Sequence, residues 1–116
     1  MSHWVLGSEE YPDGTRDVTI DFTNNDANGE MSGTLVFKGH TFYISGNWAA
    51  SGSIPGRNHS AFALWGSDQQ AATVYVAVAG TMDGPGSAPE DIVMNLIRVS
   101  TGDDEQYGWS GVLKPI

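Results

Sequence analysis

The residues best suited to bind a ligand are Trp48 and an Arg-Asn-His run in the segment of mostly small, turn-forming residues between Trp48 and Phe62. An indole offers a flat apolar face to a sugar or an aromatic ring, and Arg57, Asn58 and His59 supply polar groups for hydrogen bonds. Because the segment is longer than a hairpin needs, Trp48 and this polar run are predicted to form a ligand-binding site. In the alternative interpretation, Trp48 plugs one end of the fold and the polar run is solvated.

Acidic segments and histidines raise the question of a metal site. The segment 24–30 has an EF-hand-like spacing of oxygen ligands, but its first position is Asn24, and Leu35 stands where calcium needs a bidentate glutamate. Asp103, Asp104 and Glu105 are consecutive and can scarcely converge on one ion. The three histidines show no ligand spacing, so the sequence predicts neither a metal site nor a cofactor.

Motifs for catalysis are absent from the sequence, which contains no GxSxG, no phosphate-binding glycine loop and no HExxH. No catalytic residue is therefore predicted. Carboxylates that converge in space could still carry out acid–base chemistry, but the sequence alone does not rank Asp17, Asp21 and Glu105 for such a role.

Length and charge restrict the class of protein. The chain of 116 residues fits one domain, 1–116, and its 14 acidic against five basic residues give a formal charge of −9. This charge repels phosphate backbones and anionic headgroups, so nucleic acid and membranes are not expected as partners. No signal peptide or membrane-spanning segment is expected. Because the chain has no cysteine, its sequence does not indicate whether the protein is cytoplasmic or secreted.

Alternating hydrophobic patterns predict eight β-strands. The clearest is the segment 16–23, in which Val18, Ile20 and Phe22 alternate with polar residues. The tripeptide Pro-Asp-Gly and the pairs Asn-Gly and Gly-His mark the first three turns, at 12–14, 28–29 and 39–40. The predicted strands are HWVLGSEE, RDVTIDFT, MSGTLVFK, TFYISGNW, AFALWGS, ATVYVAVAG, EDIVMNLIRV and QYGWSGVLK.

Eight short sequential strands without a helical period predict an all-β fold with antiparallel neighbours. A closed meander barrel and a two-sheet sandwich both satisfy the pattern, and the barrel is favoured because closure removes exposed strand edges. Similarity between WVLGSEE and FALWGSDQQ predicts half-repeats 1–58 and 59–116 with pseudo-twofold symmetry, or else arises by chance. If the halves are related, Tyr107 and Trp109 form the counterpart of the Trp48 site.

The run 39–82 has few formal charges, namely those of Arg57 and Asp68. Because monomer surfaces seldom carry large apolar patches, this run predicts a homo-oligomer, unless loops cover it. The outward positions of its three strands are predicted to include Tyr43, Ala61, Ala63, Trp65, Tyr75, Ala77 and Ala79.

Two family resemblances bear on the fold. WVLGSEE, DVTIDF and GEMSGTLVFKG, between Trp4 and Gly39, resemble the Oscillatoria agardhii agglutinin-type lectin repeat, which runs W-x-L-G-S-R, a Val/Ile strand and L-x-G-T-M-x-Y-x-G. The segment 45–67 also resembles that family's glycine- and serine-rich stretch between a tryptophan and the next W-x-L-G-S, which implies high-mannose glycan against Trp48. The family's arginine is replaced by Glu9 and Asp68, which cannot make its contacts in the same way. Strand number and length also look like avidin and lipocalin-like (calycin) barrels, although no biotin site can be matched.

Together these patterns favour a non-catalytic protein that binds a small molecule or glycan at one mouth of the barrel. One alternative is an inhibitor or immunity-type module whose acidic surface meets a basic protein with strong salt dependence. A second alternative is a small cyclase-like barrel enzyme, which would need an interior cavity with a carboxylate of raised pKa. The sequence leaves the ligand and the oligomer number open.

Overall fold

The computed structural model describes residues 2–24, 29–50, 59–71, 73–83, 91–101 and 106–116. In these ranges the chain forms eight strands that confirm the predicted ones, with ends shifted by a few residues. The strands are β1 (Ser2–Gly7), β2 (Val18–Asn24), β3 (Glu30–Phe37), β4 (His40–Ala50), β5 (His59–Asp68), β6 (Val74–Asp83), β7 (Ile92–Ser100) and β8 (Gln106–Pro115).

The strands close into a meander barrel, as the sequence favoured over a sandwich. Each strand pairs antiparallel with the next, and β8 pairs back with β1. This last join is short, since Leu6 pairs with Pro115 and Gly7 with Lys114, and the N–H of Ile116 donates to the carbonyl of Val5. The closure of the barrel therefore depends on three residues at the end of the chain.

Side chains that point inward form one contiguous core. Along β7, buried and exposed positions alternate from Ile92 to Ser100, as expected for a strand with one face inside a barrel. An eight-stranded barrel encloses just enough space for such side chains. Trp4, Trp48 and Trp109 are partly buried against this core. Its members are Leu6, Val18, Ile20, Phe22, Met31, Leu35, Phe37, Phe42, Ile44, Phe62, Leu64, Val74, Val76, Val78, Met82, Ile92, Met94, Leu96 and Leu113.

The meander gives the barrel two distinct ends. At one of them, which we call the Trp48 end, β1 begins and β4 stops; at the other, the Arg98 end, β3 turns into β4 and β7 stops. The connections 25–28, 51–58 and 84–90 lie outside the described residues.

The β3–β4 hairpin differs from its prediction by one residue. Its two turn residues are Lys38 and Gly39, with φ angles of 51° and 77°, while Phe37 pairs with His40 at the end of the ladder. Positive φ at both central positions matches the right-handed twist of the flanking strands. The sequence pointed to Gly39 and His40 instead, because lysine is uncommon at positive φ.

Four strands carry a glycine where the alternation places a side chain inside the barrel. At each of them a Cβ atom would overlap a backbone carbonyl oxygen of the neighbouring strand. The missing side chain therefore lets paired strands approach and bend, as glycine kinks do in closed sheets. The four are Gly33 in β3, Gly46 in β4, Gly66 in β5 and Gly80 in β6.

Candidate functional site

A cleft of about 730 Å³ lies along the join between β1 and β8. It forms because β1 stops at Gly7, so that the middle of β8 faces the connection 8–17 instead of a paired strand. We call it the seam cleft. Its lining includes Tyr11, Arg16, Asp17, Trp109 and Lys114.

Asp17 joins the two walls of the seam cleft. The phenol of Tyr11 donates to Asp17 Oδ2 at 2.9 Å, and the indole Nε1 of Trp109 donates to the same oxygen at 3.3 Å. The hydrogen bond and the negative charge of Asp17 raise the pKa of Tyr11 above its ordinary value. Tyr11 therefore keeps its proton and remains a donor at neutral pH.

Arg16 places a fixed positive charge beside this group. Its Nη1 donates to the carbonyl of Ser8 at 2.7 Å, and its Nη2 donates to Glu10 Oε2 at 3.1 Å. The side chain crosses Gly7, where a Cβ atom would lie 2.9 Å from Arg16 Cδ. The absence of a side chain at Gly7 thus makes room for the guanidinium at the edge of the cleft.

The connection 8–17 is preorganised by its own hydrogen bonds. The N–H of Tyr11 donates to the carbonyl of Thr15, and the N–H of Gly14 donates back to the carbonyl of Tyr11. Asp13 accepts from the N–H and hydroxyl of Thr15, and these bonds lower the pKa of Asp13. This turn confirms the one predicted from Pro-Asp-Gly, and it gives the cleft a defined wall.

Trp109 forms the opposite wall of the cleft. It is partly buried against the barrel core, and its ring lies over Gly111, where a Cβ atom would be 2.8 Å from the indole. The structure thus places this predicted site residue between the core and the seam cleft. The sequence patterns do not single out Tyr11 or Arg16, and they mark Asp17 only as one of three unranked carboxylates, although a lone basic residue in the acidic segment 9–17 is an available signal.

The other predicted site residues are not brought to the seam cleft. Trp48 points inward at the opposite end of the barrel from Tyr107, with its Nε1 buried, which is the plug arrangement. Arg57 and Asn58 lie outside the described residues and His59 begins β5, so the predicted Trp48 site stays a prediction.

Tyr107 lies at the Arg98 end, where two cations approach its ring. Lys38 Nζ is 5.0 Å from the ring centroid, and the guanidinium carbon of Arg98 is 5.3 Å from it. Arg98 points inward and is buried, so its charge is held next to an aromatic face within the barrel end. Tyr107 and Trp109 are thus neighbours on β8 with different surroundings.

A buried carboxylate that the sequence did not single out for this role lies near the Arg98 end. Asp68 is 6% exposed and accepts from the N–H of Gln70 at 2.8 Å, and its Oδ2 is hydrogen-bonded to His40 Nδ1. Burial raises the pKa of this carboxyl, but the hydrogen bonds from Gln70 and His40 outweigh burial, so the pKa of Asp68 is lowered.

This lowered pKa makes stability depend on pH. At neutral pH, Asp68→Asn is expected to lower the free energy of unfolding by about 1–2 kcal/mol, because it removes charge-assisted hydrogen bonds. A carboxylate with a lower pKa in the folded state stabilises the fold above its unfolded pKa, and the effect is lost as pH falls through the folded pKa. The difference from the unsubstituted chain, measured by urea unfolding, should therefore shrink below about pH 4.

The pair of His3 and Asp21 supplies a matched control for this experiment. Both of its side chains are more than half exposed, so Asp21→Asn is expected to change stability by less than about 0.5 kcal/mol. An effect of Asp68→Asn that stayed constant down to strong acid would contradict the role assigned to the Asp68 carboxylate.

Comparison of the chain with protein-family models, with curated proteins and with solved structures finds no match. In the described part of the chain, no three His, Asp or Glu side chains converge to hold a metal ion. Within the same ranges, no helix has the length and apolar character needed to cross a membrane.

Proposed function

We propose that this protein binds a small, hydroxyl-rich molecule such as a sugar in the seam cleft, without transforming it. The observation that carries this proposal is the convergence of an indole, a phenol and a carboxylate across the cleft, in Trp109, Tyr11 and Asp17. Trp109 comes from β8, and Tyr11 and Asp17 come from the connection 8–17 that follows β1, so closing the barrel assembles the three groups.

The chemistry of these groups suits such a ligand. A sugar has apolar C–H faces that pack on aromatic rings, and hydroxyls that donate to carboxylates and accept from guanidinium groups. Asp17 and Arg16 offer both kinds of partner within one cleft. The cleft volume of about 730 Å³ also falls within the range of about 300–1,000 Å³ that is typical of small-molecule sites.

Acid catalysis gains less support from the buried carboxylate. An acid catalyst at neutral pH needs a raised pKa, whereas the pKa of Asp68 is lowered. Binding without reaction therefore accounts better for the described residues than the cyclase-like alternative does.

The proposal predicts that two substitutions weaken ligand binding. The protein is titrated with mannose-rich glycans, simple sugars and small hydrophobic compounds. Tryptophan fluorescence and calorimetry should identify a ligand that binds saturably. Trp109→Phe removes the indole N–H, and Asp17→Asn removes the charge, so each is expected to weaken binding about tenfold. Trp65→Phe, on the outside of β5, is the matched control and should leave affinity unchanged.

Three outcomes would contradict parts of this proposal. Saturable binding that neither Trp109→Phe nor Asp17→Asn weakens would exclude the seam cleft, and Trp48→Phe would then test the Trp48 end. Saturable binding of small hydrophobic compounds alone would contradict the hydroxyl-rich class. Silence across the whole panel would contradict ligand binding and favour the protein-binding alternative, with its salt-dependent partner.

A further inference from the structure

Between the strand ends, the outer side of β4–β7 carries no Asp, Glu, Lys or Arg. We call it the neutral face, and it consists of the outward residues within 43–49, 61–67, 75–81 and 93–99. Alternation in the sequence predicts that seven of these residues point outward, and the structure confirms that all seven are exposed. Trp65 and Tyr43 are 63% and 62% exposed.

Five exposed acidic residues lie on the other side of the barrel. Glu9, Glu10, Asp13, Asp17 and Asp21 are all exposed on the connection 8–17 and on β2. Two copies of a chain with a net charge of −9 repel each other when these sides approach. The neutral face is therefore a surface on which a second copy can dock without opposing like charges.

The neutral face divides into two halves of different shape. Toward the Arg98 end lie Tyr43, Trp65, Tyr75 and Ile97, which we call the aromatic half. Toward the Trp48 end lie residues such as Ala61, Ala63, Ala79, Thr81 and Asn95, which we call the small half. The small half adjoins a shallow hollow of about 520 Å³, whose lining includes Ala79, Thr81 and Asn95.

We propose that the protein forms a twofold-symmetric dimer in which the aromatic half of each copy packs on the small half of the other. The twofold axis lies in the plane of the interface, perpendicular to the strands, and passes midway between Trp65 and Ala63. It places Trp65 of each copy against Ala63 of the other. The same axis places Tyr75 over Thr81 and Ile97 over Asn95, so the hollow receives the protruding side chains. A ridge and a hollow on the same face make that face self-complementary, as an isologous interface requires.

The size of the neutral face is compatible with a dimer. Four strands about 4.8 Å apart, with seven residues each at about 3.3 Å per residue, cover roughly 440 Å² along the sheet. Protruding side chains add accessible area to this plane. The total approaches the roughly 600–1,000 Å² that each partner contributes to a standard interface.

The test measures molecular mass in solution by light scattering and sedimentation over a range of protein concentrations. The unsubstituted chain should have twice the mass of one chain, and Trp65→Lys and Ala63→Glu should each halve it, because each buries a charge in the interface. Val36→Lys is the matched control, since Val36 is an exposed apolar residue of β3 outside the neutral face. Circular dichroism and thermal melting show whether each variant keeps the fold.

A mixture of the two variants tests the arrangement itself. In a mixed dimer, Lys at 65 of one chain meets Glu at 63 of the other, while the second contact remains Trp65 against Ala63. The mixture should therefore regain dimer mass although each variant alone is monomeric. A monomeric unsubstituted chain, or equal disruption by Val36→Lys, would overturn the proposal, and a mixture of folded variants that stays monomeric would overturn the twofold packing.

Discussion

Gly66→Ala is expected to destabilise the barrel by about 3 kcal/mol or more and to lower its melting temperature by roughly 10 °C. Gly66 lies inside the barrel on β5, and a Cβ atom there would overlap the carbonyl oxygen of Tyr43 on β4. Because the obstacle is backbone, a side-chain rotation cannot relieve it. Either β4 and β5 must separate, which weakens their hydrogen bonds, or the overlap persists.

Gly108→Ala is the matched control for this substitution. Gly108 is exposed on β8, and the described atom nearest to an added Cβ would be the carbonyl oxygen of Leu96 at 3.7 Å, an ordinary contact. Thermal and urea unfolding of both variants should therefore separate a packing effect from a general effect of replacing glycine. Equal stabilities for Gly66→Ala and Gly108→Ala would show that the carbonyl oxygen of Tyr43 leaves room for a Cβ atom at position 66.

Removal of residues 114–116 is expected to open the barrel. These residues supply the described backbone pairing between β8 and β1, through Lys114, Pro115 and Ile116. At about 1 kcal/mol per backbone hydrogen bond, the loss is about 3 kcal/mol before any exposure of the core is counted. The shortened chain would also present two unpaired strand edges, so it should aggregate more readily on heating.

Ile116→Ala separates the backbone contribution from that of the side chain. The variant keeps the N–H of Ile116 that donates to Val5 and the pairing of Lys114 and Pro115, so it should lose less than about 1 kcal/mol. Urea unfolding measures both losses, and light scattering during heating measures aggregation. Full stability of the shortened chain would mean that the barrel does not depend on the β1–β8 join.

The strands could be predicted because their signal is local. In β2, Val18, Ile20 and Phe22 alternate with polar residues, and a period of two arises wherever one side of a strand is buried. The exposure of Trp65 on β5 followed from the same alternation. The sequence predicts turns where glycine permits a positive φ or proline fixes φ, but the β3–β4 turn lies one residue earlier than predicted because Lys38 adopts a positive φ.

The inward glycines could not be interpreted from the sequence. In a chain with 15 glycines, Gly66 looks like any other glycine of a turn-rich β protein. What requires glycine there is the nearness of the Tyr43 carbonyl, which depends on how β4 and β5 are paired and bent. Such a constraint joins residues that are far apart in the chain and leaves no periodic pattern.

The candidate site could be predicted from the sequence only in part, for the same reason. Trp109 was selected as an aromatic residue, but Asp17, the partner of its indole, lies 92 residues away in sequence. Asp68 appeared in the sequence as a departure from a lectin motif, whereas the fold makes it a buried carboxylate with His40 and Gln70 as partners. Neither role could be assigned before the ladder registers were known.

The sequence by itself determined an all-β chain of eight sequential strands, the residues on each strand face and an outer face poor in charge over β4–β6. These properties depend on alternation and turn formation, which act over a few residues. The tertiary structure decided that β1 stops short of β8, that Tyr11, Asp17 and Trp109 meet across the resulting cleft, and that Asp68 is buried. The reason is that closing the barrel brings the first and last strands together in a register that neither strand contains alone.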